Sequence, residues 1–143
     1  MPGPDVTFAT LDPDSEELFQ RLGSLLGVSG FGINLITLQP RQRLRVHVHE
    51  RQEEVYAVLD GELTLVVEGE EHQLGPGNYA RVGPVTRRQV VNRGPGSLVL
   101  LVVGASAANV HESRDARAWE TWEEDGEGRP PQEVALPKDL PAS

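Results

Sequence analysis

Residues 47–61 read HVHERQEEVYAVLDG, an H-x-H-x4-E-x6-G run formed by His47, His49, Glu54 and Gly61. In an extended chain the side-chain period is two, so both imidazoles stand on one face of a strand. Such a pair chelates. Polar residues 50–53 offer a turn, after which Glu54 faces the rings from a neighbouring strand, about 5 Å away. Two neutral ring nitrogens and one carboxylate oxygen suit a divalent first-row metal, Zn, Ni, Mn or Fe, with positions left open for water or substrate. The bland alternative is a solvated strand face, the ordinary fate of a His pair beside arginines. Glu53 is the rival of Glu54, but the six residues to Gly61 favour Glu54 and leave Glu53 in solvent.

Around this run the pattern is β. Segments 31–38, 43–49, 54–59, 62–67, 72–74, 79–82, 88–92 and 98–103 alternate or run apolar, which predicts eight short strands. Asp60-Gly61, Glu68-Gly69, Gly75-Pro76-Gly77, Gly83-Pro84 and Gly94-Pro95-Gly96 supply the turns between them. Short strands with no helices between them predict an all-β antiparallel sandwich or small barrel. Tyr56 and Val58 share the face of Glu54 by alternation and are candidate pocket walls. His72, beside a Gly-Pro-Gly turn among acids, reads as a surface residue, and His111 lies past the core.

The flanks differ from this middle. Residues 1–30 predict a helical extension: Asp12 as cap, Pro13 at the first position, Leu18, Phe19, Leu22, Leu25 and Leu26 at helical spacing, and Gly23 and Gly27 as stops. Residues 105–143 form an acidic tail holding both tryptophans. Large rings seek burial, so the region of Trp119 and Trp122 is expected to be pinned on the barrel or on a neighbouring subunit, with the end of the tail mobile.

The net charge of −9 belongs to these flanks. Segment 1–30 carries one Arg against five acids, segment 31–104 balances eight Arg with eight acids, and segment 105–143 sets four basic residues against nine acids. An acidic chain repels phosphate backbones, so nucleic acid is not an expected partner. Absence of cysteine excludes thiolate metal sites, disulfides and cysteine nucleophiles. No apolar run approaches the roughly 20 residues that span a bilayer, and the N-terminus has neither a basic nor an apolar leader region, so a cytoplasmic protein without a membrane partner is the expectation. Neither a G-x-S-x-G elbow nor a phosphate loop nor a dinucleotide fingerprint is present.

The His47, His49, Glu54, Gly61 run resembles the first motif of the cupin superfamily, G-x5-H-x-H-x3,4-E-x6-G, with Arg41 at the leading glycine. The stretch from Gly77 to Asn92 resembles the second, G-x5-P-x-G-x2-H-x3-N, with Gly83 at the proline, Val85 at the inner glycine and Arg88 at the histidine. The resemblance covers residues 31–104. It implies a small jelly-roll barrel of the conserved-barrel type, often paired as a homodimer, whose interior holds a metal on two His, one Glu and a further His.

Arg88 changes that chemistry. A guanidinium stays protonated and offers no lone pair, so it is no substitute for an imidazole ligand. Two arrangements follow. In one, His47, His49 and Glu54 hold the metal alone while Arg88 and Tyr56 meet a small polar or anionic ligand. In the other, Arg88 pairs with Glu54 and the histidines line a metal-free ligand pocket. The functions compatible with them are a small-molecule binder, a metal-dependent enzyme of oxygenase, isomerase or decarboxylase type, and a non-catalytic structural or interaction module.

Overall fold

The computed structural model describes residues 3–12, 14–106 and 115–142; Pro13 and His111 lie outside them. Two five-stranded antiparallel sheets face each other. The first has strand order β1-β2-β9-β4-β7, built from β1 (Phe19–Gln20), β2 (Gly32–Leu38), β9 (Leu98–Ser106), β4 (Gln52–Asp60) and β7 (Tyr79–Val82). The second has order β10-β3-β8-β5-β6, from β10 (Ala116–Trp119), β3 (Val46–His49), β8 (Arg88–Val91), β5 (Leu63–Val67) and β6 (Glu70–Leu74). This is the jelly-roll arrangement the motifs imply.

Between the sheets lies one apolar core that includes Leu38, Leu63, Leu98 and Leu100, each fully buried. Burying a side chain of this size contributes about 1.5–3 kcal/mol. Turn chemistry sets the register around the core. At Gly61 (φ 80°) an added Cβ would lie 2.3 Å from the Ser97 carbonyl oxygen, so only glycine closes the turn between β4 and β5.

The N-terminal flank departs from its helical reading. The helix α1 is confined to Leu22–Leu26, has no side-chain cap at Arg21 and is ended by Gly27 at φ 73°. Phe19 and Gln20 instead pair with Ile36 and Leu35 of β2. A strand edge with unpaired backbone groups outweighs a modest helical preference, and it ends the sheet on a strand of two residues.

The tail adds a strand that the periodicity does not announce. β10 pairs with β3, setting Ala116 opposite His49 and Ala118 opposite His47. On the outer face, Trp119 packs on Val46 and Val48 with Trp122 beside it. The Arg87 guanidinium lies 3.8 Å from the Trp119 ring centroid and donates to the Trp122 and Glu124 carbonyls. The Trp122 indole donates to Gln89 Oε1 at 2.9 Å. Among the described residues no helix is long and apolar enough to cross a membrane.

Candidate metal and ligand site

Strand β3 presents His47 and His49 inward, with ring centroids 5.4 Å apart and planes nearly perpendicular. Only Glu50 and Arg51 separate β3 from β4, and the chain crosses there from one sheet to the other. Glu54 therefore meets the histidines across the interior of the barrel, not along a ladder from an adjacent strand as the spacing alone predicts. Its Oε1 is 3.6 Å from His47 Nε2, and its Oε2 is 3.3 Å from His49 Nε2. The donor atoms of the three residues all lie within 4.8 Å of one another.

Proton positions follow from the partners. His47 Nδ1 is 3.2 Å from the Arg45 carbonyl oxygen. A carbonyl only accepts, so Nδ1 carries the hydrogen and Nε2 of the neutral ring turns a lone pair toward the carboxylate. Two acceptors facing each other call for a cation between them, a proton or a metal ion. Burial pushes the His47 pKa down, and the neighbouring Glu54 carboxylate only partly offsets this. The neutral, ligating form of the ring is thereby favoured. Burial works against the Glu54 charge as well, but His47 and His49 beside it outweigh this and hold the carboxyl well below the usual range.

Arg88 stands directly behind this carboxylate. Its backbone pairs with His47, its side chain is fully buried, and Nη2 donates to Glu54 Oε1 at 2.9 Å. Nη1 donates to the Thr86 carbonyl and Nε to the Tyr56 hydroxyl, which in turn donates to Glu54 Oε1 at 2.7 Å. Burial opposes the Arg88 charge, and Tyr56 and Glu54 more than compensate. The Tyr56 hydroxyl is driven up by burial and by the Glu54 charge, so it remains a donor.

The cluster opens into a cavity of about 190 Å³ whose lining includes His47, His49, Glu54 and Tyr56. Arg88 is not part of that lining. The pairing of Arg88 with Glu54 that one of the two readings requires is present. Val58 joins the apolar core, Glu53 is exposed and bonded to Arg81 at 2.9 Å, and His72 is exposed on β6. Asn92 is a latch: its amide donates to the Leu38 and Gly96 carbonyls and accepts from Gly94 N.

Three residues escaped the sequence reading. Asp115 is buried, accepts from the Arg51 and Gln52 amides at 2.9 Å, and sets Oδ2 3.4 Å from His49 Nδ1. That nitrogen is buried with no hydrogen bond of good geometry, so Asp115 is its nearest acceptor. Nothing in the sequence connects residue 115 to residue 49; only the pairing of β10 with β3 does. Arg45 and Asn34 also line the cavity. Arg45 was legible in principle, because it stands two residues before His47 and shares its face.

The donor set suits a divalent metal: two imidazoles with Nε2 lone pairs and a carboxylate, with the remaining positions open to the cavity. Among known proteins, the Cupin domain family model matches residues 34–104. No curated protein matches the chain significantly. Among solved structures, a sugar phosphate isomerase of the cupin superfamily from Silicibacter pomeroyi is 34% identical, with TM-score 0.61 over 72% of this chain and 65% of that one. A candidate sugar phosphate isomerase from Acidithiobacillus ferrooxidans is 31% identical, with TM-score 0.57, over 60% of this chain and 56% of that one. The chain thus spans less than two thirds of each of these two relatives. A cupin protein from Bacteroides fragilis, 19% identical, shares the fold with TM-score 0.67 over 77% of this chain and 92% of its own length. Family match, jelly-roll topology and the two motifs in register agree, and the chain belongs to the cupin superfamily.

Proposed function

We propose that the protein binds a small polar or anionic ligand inside the barrel, at a divalent metal ion held by His47, His49 and Glu54. The observation that carries this reading is the meeting of two imidazole Nε2 atoms with one carboxylate at 3.6 and 3.3 Å, at the wall of a cavity large enough for a ligand. When bound, the ion supplies Lewis acidity toward a ligand oxygen. The chain's own residues do the rest. His47 is oriented by the Arg45 carbonyl, and Glu54 is held by Arg88 and Tyr56, so the ligand atoms are set in place before any ion arrives. Ile36, Leu44 and Val102 line the remaining wall and exclude water.

A metal-dependent enzyme, acting on a phosphorylated sugar, is the second reading, favoured by the similarity to the Silicibacter pomeroyi isomerase. The homodimer reading rests on the exposed apolar side chains Phe31, Leu59 and Tyr79 and is tested by sedimentation.

The deciding experiment is elemental analysis of protein purified without an affinity tag and after addition of Zn, Ni, Mn or Fe(II). About one ion per chain, lost in His47→Ala, supports the proposal. Failure of every ion to bind the wild-type protein leaves the metal-free pocket, with Arg88 as the sole counter-charge of Glu54.

A further inference from the structure

Charge balance within the cavity points to the kind of ligand. Glu54 is the carboxylate in the lining, and Arg88 behind it already matches its charge at 2.9 Å. Arg45, one residue before β3 and two before His47, is a second cation of the cavity. Its Nε donates to the Val134 carbonyl beside the 3-10 turn Pro131–Glu133. Among the described residues no carboxylate lies within 4.0 Å of its guanidinium, whereas Arg81, Arg93, Arg117 and Arg129 each have one. Among the described residues the two terminal nitrogens of Arg45 have no hydrogen-bond acceptor, and the residue lines the cavity. Asn34, on β2 of the facing sheet, lines the same space, and its amide takes no hydrogen bond from the described residues. A partly buried cation with no carboxylate beside it, next to a free amide, selects against cations and for an oxyanion.

We infer that Arg45 and Asn34 form the oxyanion-binding end of the cavity. They would select a small ligand bearing a carboxylate or phosphate, with an oxygen function a few atoms away that reaches His47, His49 and Glu54. The oxyanion end stands on Arg45 itself; the placement of the second end rests on the metal reading above. Residues two apart on a strand are separated by roughly 7 Å, which sets the span between the two ends. A cavity of about 190 Å³ suits a small ligand.

The test uses the full chain, first treated with EDTA and then loaded with Zn, and two probes, inorganic phosphate and glycolate. Binding is followed by ¹H–¹⁵N NMR at the Arg45 Nε–H and the β3 amides, and by calorimetry. Saturable shifts at Arg45 with at least one probe are expected in the metal-free protein. Affinity should fall at least tenfold in Arg45→Gln, less in Arg45→Lys, and not at all in Arg93→Gln, which alters an exposed arginine paired with Glu71. Response to phosphate alone or to glycolate alone identifies the anion class.

The inference is overturned if neither probe perturbs Arg45, or if Arg45→Gln binds as the wild type does. Arg45→Gln also loses the bond to Val134, so its unfolding midpoint is recorded alongside; should it not fold, the comparison of Arg45→Lys with wild type decides. Failure of Zn to bind leaves the metal-free titration untouched, so the two readings fail separately.

Discussion

Replacing Arg88 by histidine restores the residue the second motif leads one to expect, and the structure fixes what that change costs. Arg88 is fully buried, and it gives Glu54 a hydrogen bond of 2.9 Å in a cavity wall where the Glu54 side chain is only 15% exposed. Removing one partner of such a pair costs about 3–5 kcal/mol, because the other charge is left buried. At about 4 °C per kcal/mol for a domain of this size, the unfolding midpoint of Arg88→His in EDTA should fall by roughly 12–20 °C. Metal reverses the loss. Free ion at about 1,000 times its Kd adds about 4 kcal/mol, and a third imidazole, as fourth ligand, lowers that Kd relative to wild type.

Thermal unfolding followed by circular dichroism, in EDTA and in excess Zn, reads both effects, with Arg88→Met as the companion that loses the charge without gaining a ligand. Both variants should be destabilised in EDTA, and the histidine variant should recover the more with Zn. Arg88→His as stable as wild type in EDTA, or a Zn response no larger than that of Arg88→Met, would refute the placement of residue 88 behind the carboxylate.

Further outcomes follow from single positions. Val85 is β-branched, 72% exposed, and held at φ 61°, so Val85→Gly should raise stability by about 1 kcal/mol after allowing for glycine's added chain entropy, read as a rise of a few degrees in the midpoint. Asp115→Asn should weaken metal binding about 10–100-fold and shift the His49 tautomer equilibrium, which ¹⁵N NMR of the ring detects even without metal. The metal-free protein should lose stability as pH falls below 6.5, the ordinary histidine value, because the His47 pKa is lowered on folding and the unfolded state takes up its proton first. Glu54, also lowered, adds a second loss below 4.5; in His47→Gln the upper step should vanish while the lower one persists, as chemical denaturation across pH will show.

Much of the barrel was legible because its strands carry local marks. Tyr79–Val82 is bounded as the alternation predicts, and the strand predicted at 98–103 extends in the fold as Leu98–Ser106, continuing pairing with β4 past the end of the apolar run. The flanks are less legible because what shapes them is not local: the pinning of Trp119 and Trp122 on the barrel is as expected, but strand β10 and the shortness of helix α1 are not read from the sequence. Leu18 and Phe19 have helical spacing, yet Phe19 becomes part of a strand edge because β2 offers a row of unpaired backbone groups beside it. Trp119 is pinned by Arg87 and Val46, partners 32 and 73 residues away, which no window of sequence connects. Within the site, the period of two brought out His47 and His49 but applies equally to Arg45. That residue was passed over because an arginine on a strand is most often solvated, and only the turn that carries Val134 to it makes it part of a cavity.

Where this chain departs from the motifs, backbone and side chain part company. Arg41 and Val85 stand at positions the motifs give to glycine, and both retain glycine's left-handed conformation, φ 72° and 61°. The path of the chain is thus set by the surrounding ladder, including the 2.7 Å bond from Val85 N to the His49 carbonyl, and the side chains tolerate it. At position 88 the path is kept too, but the chemistry is inverted: a neutral ligand becomes a fixed cation that takes up the charge of Glu54. Arg45, bonded to the Val134 carbonyl, has no carboxylate among the described residues within 4.0 Å. A pocket that holds a cation of its own, with its carboxylate already compensated, is better matched to an anionic ligand than to a neutral one.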